Sequence, residues 1–125
     1  MKKLKITERG FAGHFICSSS CLFHRNTLLE YGNDRIIVST VGNYRPKNIP
    51  AEKLKKEDQE IGINRFYETM AFEAIKKGVY WEINVQREID FKSNWAINNL
   101  EENSDLEADL MHDKIVKEIS KKMIK

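Results

Sequence analysis

The sequence is poor in residues that staple or interrupt a chain. It holds two cysteines and two prolines in 125 residues, and both prolines, Pro46 and Pro50, fall in one short stretch. With no apolar segment behind the basic start "MKKLKITERG", no secretory signal is expected, and the cysteines are expected as thiols in a reducing cytoplasm. No apolar run approaches the roughly 20 residues that a membrane-spanning helix needs, so no membrane partner is expected. An excess of one charge is also missing, because 21 Lys and Arg against 19 Asp and Glu leave a net charge of +2. That balance excludes a histone-like electrostatic footprint and leaves a local patch or a small anionic ligand. Phosphate-binding P-loop, G-x-S-x-G and H-E-x-x-H patterns are absent, as are internal repeats and low-complexity segments.

What remains is a mixed composition, 41% hydrophobic and 32% charged. It reads as a single globular domain over residues 1–125. A chain of this length buries about two-thirds of its surface without disulfides or metal.

The pattern along the chain predicts an α+β fold, a small antiparallel sheet of hairpins followed by a C-terminal amphipathic helix. "LKITERGFAGHFI" begins with alternation and is interrupted by Gly10 and Gly13, which suits a bent strand or a loop. Two β-rich runs flank "YGND", where Gly32, Asn33 and Asp34 tolerate a tight hairpin turn. The segment from Arg45 to Gln59, "RPKNIPAEKLKKEDQ", reads as an exposed connection and a candidate lid. Residues 61–77 admit a helix ending at Gly78 or a strand closing through "KKG" into the alternation of Val79, Trp81, Ile83 and Val85. The hairpin is the preferred reading. Ser104 and Glu107 match a capping box, and Leu106, Leu110, Met111, Ile115, Val116, Ile119 and Met123 then recur at helical spacing. A stripe of that size needs a sheet or a second subunit to cover it, so a homo-oligomer, dimer or higher, is expected.

"GHFICSSSCLFHR" gathers His14, Cys17, Cys21 and His24 in eleven residues. A structural zinc site usually separates its two ligand pairs by a long spacer. On a strand, His14 and Cys17 would also point to opposite faces. No metal is expected, and no other cofactor. The cysteines read as small, partly buried apolar residues.

A different chemistry recurs in three places. Phe11, Phe15 and Phe23 stand near His24, Arg25, Asn26 and Thr27. "GNYRP" holds Asn43, Tyr44 and Arg45, and "NRFYETM" holds Asn64, Arg65, Phe66, Tyr67 and Glu68. Arginine forks onto phosphate oxygens and stacks on bases, asparagine matches the edge of adenine, and aromatic faces stack bases. For any one segment, the solvent face of an antiparallel sheet explains the same residues. Their recurrence favours a nucleotide ligand. Phe15, Phe23, Arg25, Asn26, Arg45, Arg65, Tyr67 and Glu68 are the candidate ligand-binding residues, and no catalytic residue is assigned. Phe23 and Arg25 share a strand face, so Arg25 is expected to meet a phosphate beside a stacked base.

The segments "RGFAGHFICSSSCLFHRNTLL", "RIIVSTVGNY", "IGINRFYETMAFEA" and "MHDKIVKEI" together resemble the first of the phage anti-Thoeris sponge families, over Arg9 to about Lys121. The resemblance implies an antiparallel sheet with C-terminal helical structure, assembled as dimers or higher oligomers in the host-cell cytoplasm. It implies binding of cyclic ADP-ribose signals made by TIR-domain defence enzymes, held without being degraded. Some members of that family also bind cyclic oligonucleotides at a second site. Two other classes compete. One is a single-stranded nucleic-acid or protein-binding module, which would call for a basic stripe. The other is a nucleotide-hydrolysing enzyme using Glu68 with His14 or His112 as acid and base.

Overall fold

A computed structural model describes residues 2–11, 13–14 and 20–125. Its strands are β1 (Lys5–Arg9), β2 (Cys21–Tyr31), β3 (Asp34–Tyr44), β4 (Tyr67–Lys77), β5 (Tyr80–Ile89) and the short β6 (Ala96–Ile97), followed by the helix α1 (Ser104–Met123). The sheet is an antiparallel meander in the order β1-β2-β3-β4-β5, with β6 paired to the start of β4. This is the α+β architecture that the alternation and the terminal stripe predict. Phe15 and Cys17 lie outside the described residues.

Two hairpin turns set the meander. Gly32 and Gly78 adopt φ of +60° and +62°. Each opens a two-residue turn, because Tyr31 pairs with Asp34 and Lys77 with Tyr80. A positive φ at the first turn position matches the right-handed twist of the flanking strands. The structure therefore corrects the three-residue "KKG" loop, since the strand runs through Lys77 and the chain reverses on Gly78 and Val79.

Central strands are covered on both sides, which explains why "RIIVSTV" is apolar almost without alternation. Leu29, Val38 and Ala71 face α1, whose Ala108, Met111, Ile115 and Ile119 complete the main core. Leu28, Ile37 and Phe72 are buried on the opposite face. Between Arg45 and Gln59 the chain makes two short 3-10 turns, Ala51–Lys53 and Lys56–Gln59, and buries Gln59.

The helix departs from its sequence pattern in two respects. Asn103 is its N-cap residue, and no side chain caps it. Ser104 is the first helical residue, and its hydroxyl accepts from the Glu101 amide at 2.7 Å instead of forming the expected capping box. Leu106 and Leu110 are 60% and 62% exposed. The buried face is rotated from the expected stripe to take in Ala108 and His112.

The sheet is strongly coiled. Arg9 on the first strand donates through Nη1 to the carbonyl of Trp81 on the fifth, at 2.6 Å. In a flat sheet four inter-strand steps of about 4.8 Å would hold those edges roughly 19 Å apart, beyond the reach of one side chain. A shift of register between Phe72 and Ala74 in the β4–β5 pairing marks the irregularity that helps β5 curl. The face opposite α1 is therefore concave.

Candidate functional site

The β1–β2 register places Arg9 opposite Asn26 on the concave face. Arg9 Nε and Nη2 donate to Asn26 Oδ1 at 3.0 and 2.7 Å. The Phe11 ring lies 4.0 Å from the guanidinium carbon and meets Tyr80 edge-on at 5.4 Å. Burial draws the pKa of Arg9 below its usual value, against the opposing pull of Glu30 and Glu82. Arginine remains cationic throughout. Around this group Gly13, His14, Lys77, Glu82, Ile83 and Val85 close a recess of 210 Å³. The guanidinium is held by three hydrogen bonds to two acceptors, Asn26 Oδ1 and the Trp81 carbonyl, and is stacked on Phe11, so its orientation is set within the chain.

His14 lies against the sheet as the floor of that recess. Its amide donates to Ser39 Oγ at 3.1 Å, its Nδ1 is 2.8 Å from the same oxygen, and its Nε2 is 3.0 Å from Glu68 Oε1. The ionised Glu68 carboxylate can only accept, so Nε2 carries a ring proton that faces it. Burial raises the Glu68 pKa, but hydrogen bonds and charge from His14 and Arg65 outweigh it and hold the carboxyl below its ordinary value. The order hydroxyl, imidazole, carboxylate resembles a nucleophilic triad. Ser39, however, is wholly buried beneath His14. Its hydroxyl orients the ring.

Arg65 donates to Glu68 Oε2 at 3.2 Å and stacks 5.3 Å from the centre of the half-exposed Trp95 ring. Trp95 in turn borders a second cavity, of 280 Å³, with Met70, Glu88, Asp90 and Phe91.

The other candidate residues lie on the helix side. Phe23 packs edge-on against Tyr67, their ring centres 5.9 Å apart. The Tyr67 hydroxyl donates to Asp105 Oδ1 at 2.5 Å. Burial, then this carboxylate, pushes the phenol well above its ordinary pKa, while Arg45 acts in the opposite sense. Asn43 Oδ1 and Arg45 Nε are buried here without a hydrogen-bond partner among the described residues. Arg25 forks onto Glu8 with two bonds of 3.0 Å, donates to Asp113 Oδ1 at 2.9 Å and reaches Asp109 Oδ1 at 3.3 Å. Burial lowers its pKa, but Glu8 and Asp113 more than reverse that, so the guanidinium is locked as a cation. It does share a face with Phe23, but its donors are spent on carboxylates of β1 and α1.

The candidate residues thus divide. Asn26, Arg65 and Glu68 belong to the concave side, Phe23, Arg25, Arg45 and Tyr67 to the helix side, and Phe15 is outside the described residues. Among the metal candidates His14 is engaged by Ser39 and Glu68, His24 is exposed and Cys21 is buried. No cluster of three His, Cys, Asp or Glu placed for a metal occurs among the described residues. Sequence reasoning missed Arg9, Lys77 and Glu82. For Arg9 a signal existed, because "RGF" repeats the pairing of arginine with an aromatic one residue further apart.

No protein-family model, curated protein or solved structure matches the chain.

Proposed function

We propose that this protein binds a cyclic ADP-ribose-type nucleotide in the concave recess and sequesters it without degrading it, as a homo-oligomer. The observation that carries the reading is the preorganised Arg9, forked on Asn26 and stacked on Phe11 beside Lys77. Two cations suit a pyrophosphate, the Phe11 and Tyr80 rings suit a base, and Glu82 suits ribose hydroxyls. A guanidinium whose orientation is already set loses little freedom on binding. The resemblance to anti-Thoeris sponges supports the same ligand class. Sequestration rather than catalysis is supported by the burial of Ser39, which among the described residues is the hydroxyl aligned with His14 and Glu68.

Size bears on the assembly. Ligand pockets commonly enclose about 300–1,000 Å³, and this recess offers 210 Å³. The recess of one chain therefore grips part of such a ligand and leaves the rest open on the concave side, where a higher oligomer has room to cover it.

The test is calorimetric titration with cyclic ADP-ribose, paired with mass spectrometry of the nucleotide released by heating the complex. Binding with intact release is expected. Lys77→Ala and Phe11→Ala, at positions that carry no main-core packing, should each weaken binding about 10-fold or more. Release of an altered nucleotide would make the protein an enzyme, and no retention by wild type would end the nucleotide reading.

A further inference from the structure

The outward face of α1 is divided in a way that folding of one chain does not explain. Leu106 and Leu110 are exposed, one turn apart, in its first half. Continuing along the same face, Lys114, Lys117 and Lys121 are exposed in its second half. These lysines, with Lys122 and Lys125, border a groove of 470 Å³ beside Ser93. The groove's single carboxylate, Glu118, is already committed. It accepts from the Ser93 hydroxyl at 2.5 Å and from the Lys92 and Ser93 amides at 2.6 and 2.9 Å. Lys122 shares this carboxylate at 3.6 Å, and no ion pair of Lys114, Lys117 or Lys121 occurs among the described residues. At the other end the acids Glu101, Glu102 and Glu107 are exposed, and no basic side chain pairs with them among the described residues.

We infer that this face of α1 is the docking surface for α1 of a second copy, packed antiparallel about a twofold axis. Charge is complementary along this one element. An antiparallel mate lays its lysine-rich end along the acidic start of the first helix, and the twofold repeats the match at the other end. With the axis near Asp113 and Lys114, Glu107 faces the mate's Lys121. The long aliphatic stems of Lys117 and Lys121 then cover Leu110 and Leu106. Twenty residues give an overlap of about 30 Å, and the two helix dipoles oppose each other. A parallel pairing would set lysine against lysine. The inference gives the expected oligomer a specific surface and does not rest on the nucleotide reading.

Sedimentation equilibrium on the full chain, without nucleotide, tests it. Wild type is expected at twice the 14.7 kDa subunit mass at high micromolar concentration, with dissociation favoured by salt. Leu106→Glu with Leu110→Glu should weaken self-association at least 10-fold, as should Lys117→Glu with Lys121→Glu. Both pairs are at exposed positions, so circular dichroism should match wild type. Mixing the lysine variant with a Glu102→Lys, Glu107→Lys variant should restore a heterodimer. A monomeric wild type, a dimer indifferent to these substitutions, or two folded charge variants that fail to restore each other would each overturn the proposal.

Discussion

Thr27 and His112 are joined by a 2.7 Å hydrogen bond whose direction follows from their neighbours. The Thr27 hydroxyl donates to Glu8 Oε2 at 2.8 Å, so toward the ring it accepts, and His112 Nε2 carries the proton. Nδ1 then accepts from Thr40 at 2.7 Å, and Thr40 accepts from Thr69 at 2.6 Å. The chain of donors runs from Thr69 to Glu8 through a neutral imidazole in the core. Burial, and then repulsion by Arg25, push the pKa of His112 down to about 4.

That shift makes a pH prediction with a definite sign. The unfolded imidazole titrates near 6.5, so between about pH 6.5 and 4 the unfolded chain binds the extra proton. His112 stabilises the fold fully above that window, and its contribution falls as the pH drops, by up to about 1.4 kcal/mol per pH unit. Glu8 and Glu68, both lowered, act in the same direction at the acid end. His112→Gln should flatten the slope of urea-derived stability against pH by about one proton across the window. An unchanged slope would show that His112 is not the titrating group.

Arg25 is predicted to be a structural clamp. Its side chain is 23% exposed and bonds Glu8 and Asp113 from different elements. Arg25→Ala removes those bonds and leaves Glu8 half-buried, at a cost of about 1–3 kcal/mol after allowance for solvent. The nucleotide affinity of the folded variant should stay within twofold of wild type. A tenfold loss in a variant as stable as wild type would instead place the ligand on the helix side, as the sequence led one to expect.

Arg9→Lys tests the coiling of the sheet. A lysine offers no planar fork, so it cannot hold both Asn26 Oδ1 and the Trp81 carbonyl. Stability should fall by about 1–2 kcal/mol, and amide hydrogen exchange should quicken in β5. Unchanged protection of β5 would mean that the edges are held together without this contact.

These residues show how far the sequence could be read. Turn chemistry is local, so "YGND" and the glycine after Lys77 marked both hairpins, and strict alternation after it marked β5. The existence of α1 was legible for the same reason. Its orientation was not, because apolar periodicity counts Leu106 and Leu110 and discounts His112, while Thr27 and Thr40 supply the partners that let a histidine into the core. Arg25 read as a ligand contact because its answering carboxylates, Asp109 and Asp113, lie 84 and 88 positions away. Arg9 and Asn26 meet only through a strand register, which no local pattern specifies.

Gly42 offers the sharpest steric prediction. It pairs with Tyr67 across β3 and β4, and the tyrosine ring lies flat on the space where a side chain would be. A Cβ built there would sit 2.2 Å from Tyr67 Cδ2 and 2.6 Å from the Phe66 carbonyl oxygen. The ring cannot withdraw easily, since its hydroxyl is tied to Asp105 at the start of α1 and its edge packs on Phe23. The carbonyl is also fixed, because it accepts from the Asn43 amide. Gly42→Ala should therefore cost at least about 2 kcal/mol, as overpacking in a tight core does. Gly10→Ala is the control, for nothing lies within 4 Å of the point where its Cβ would stand and its φ is not left-handed. Chemical denaturation of the two variants should separate them clearly, and an alanine tolerated at both positions would show that Tyr67 does not lie on the sheet as described.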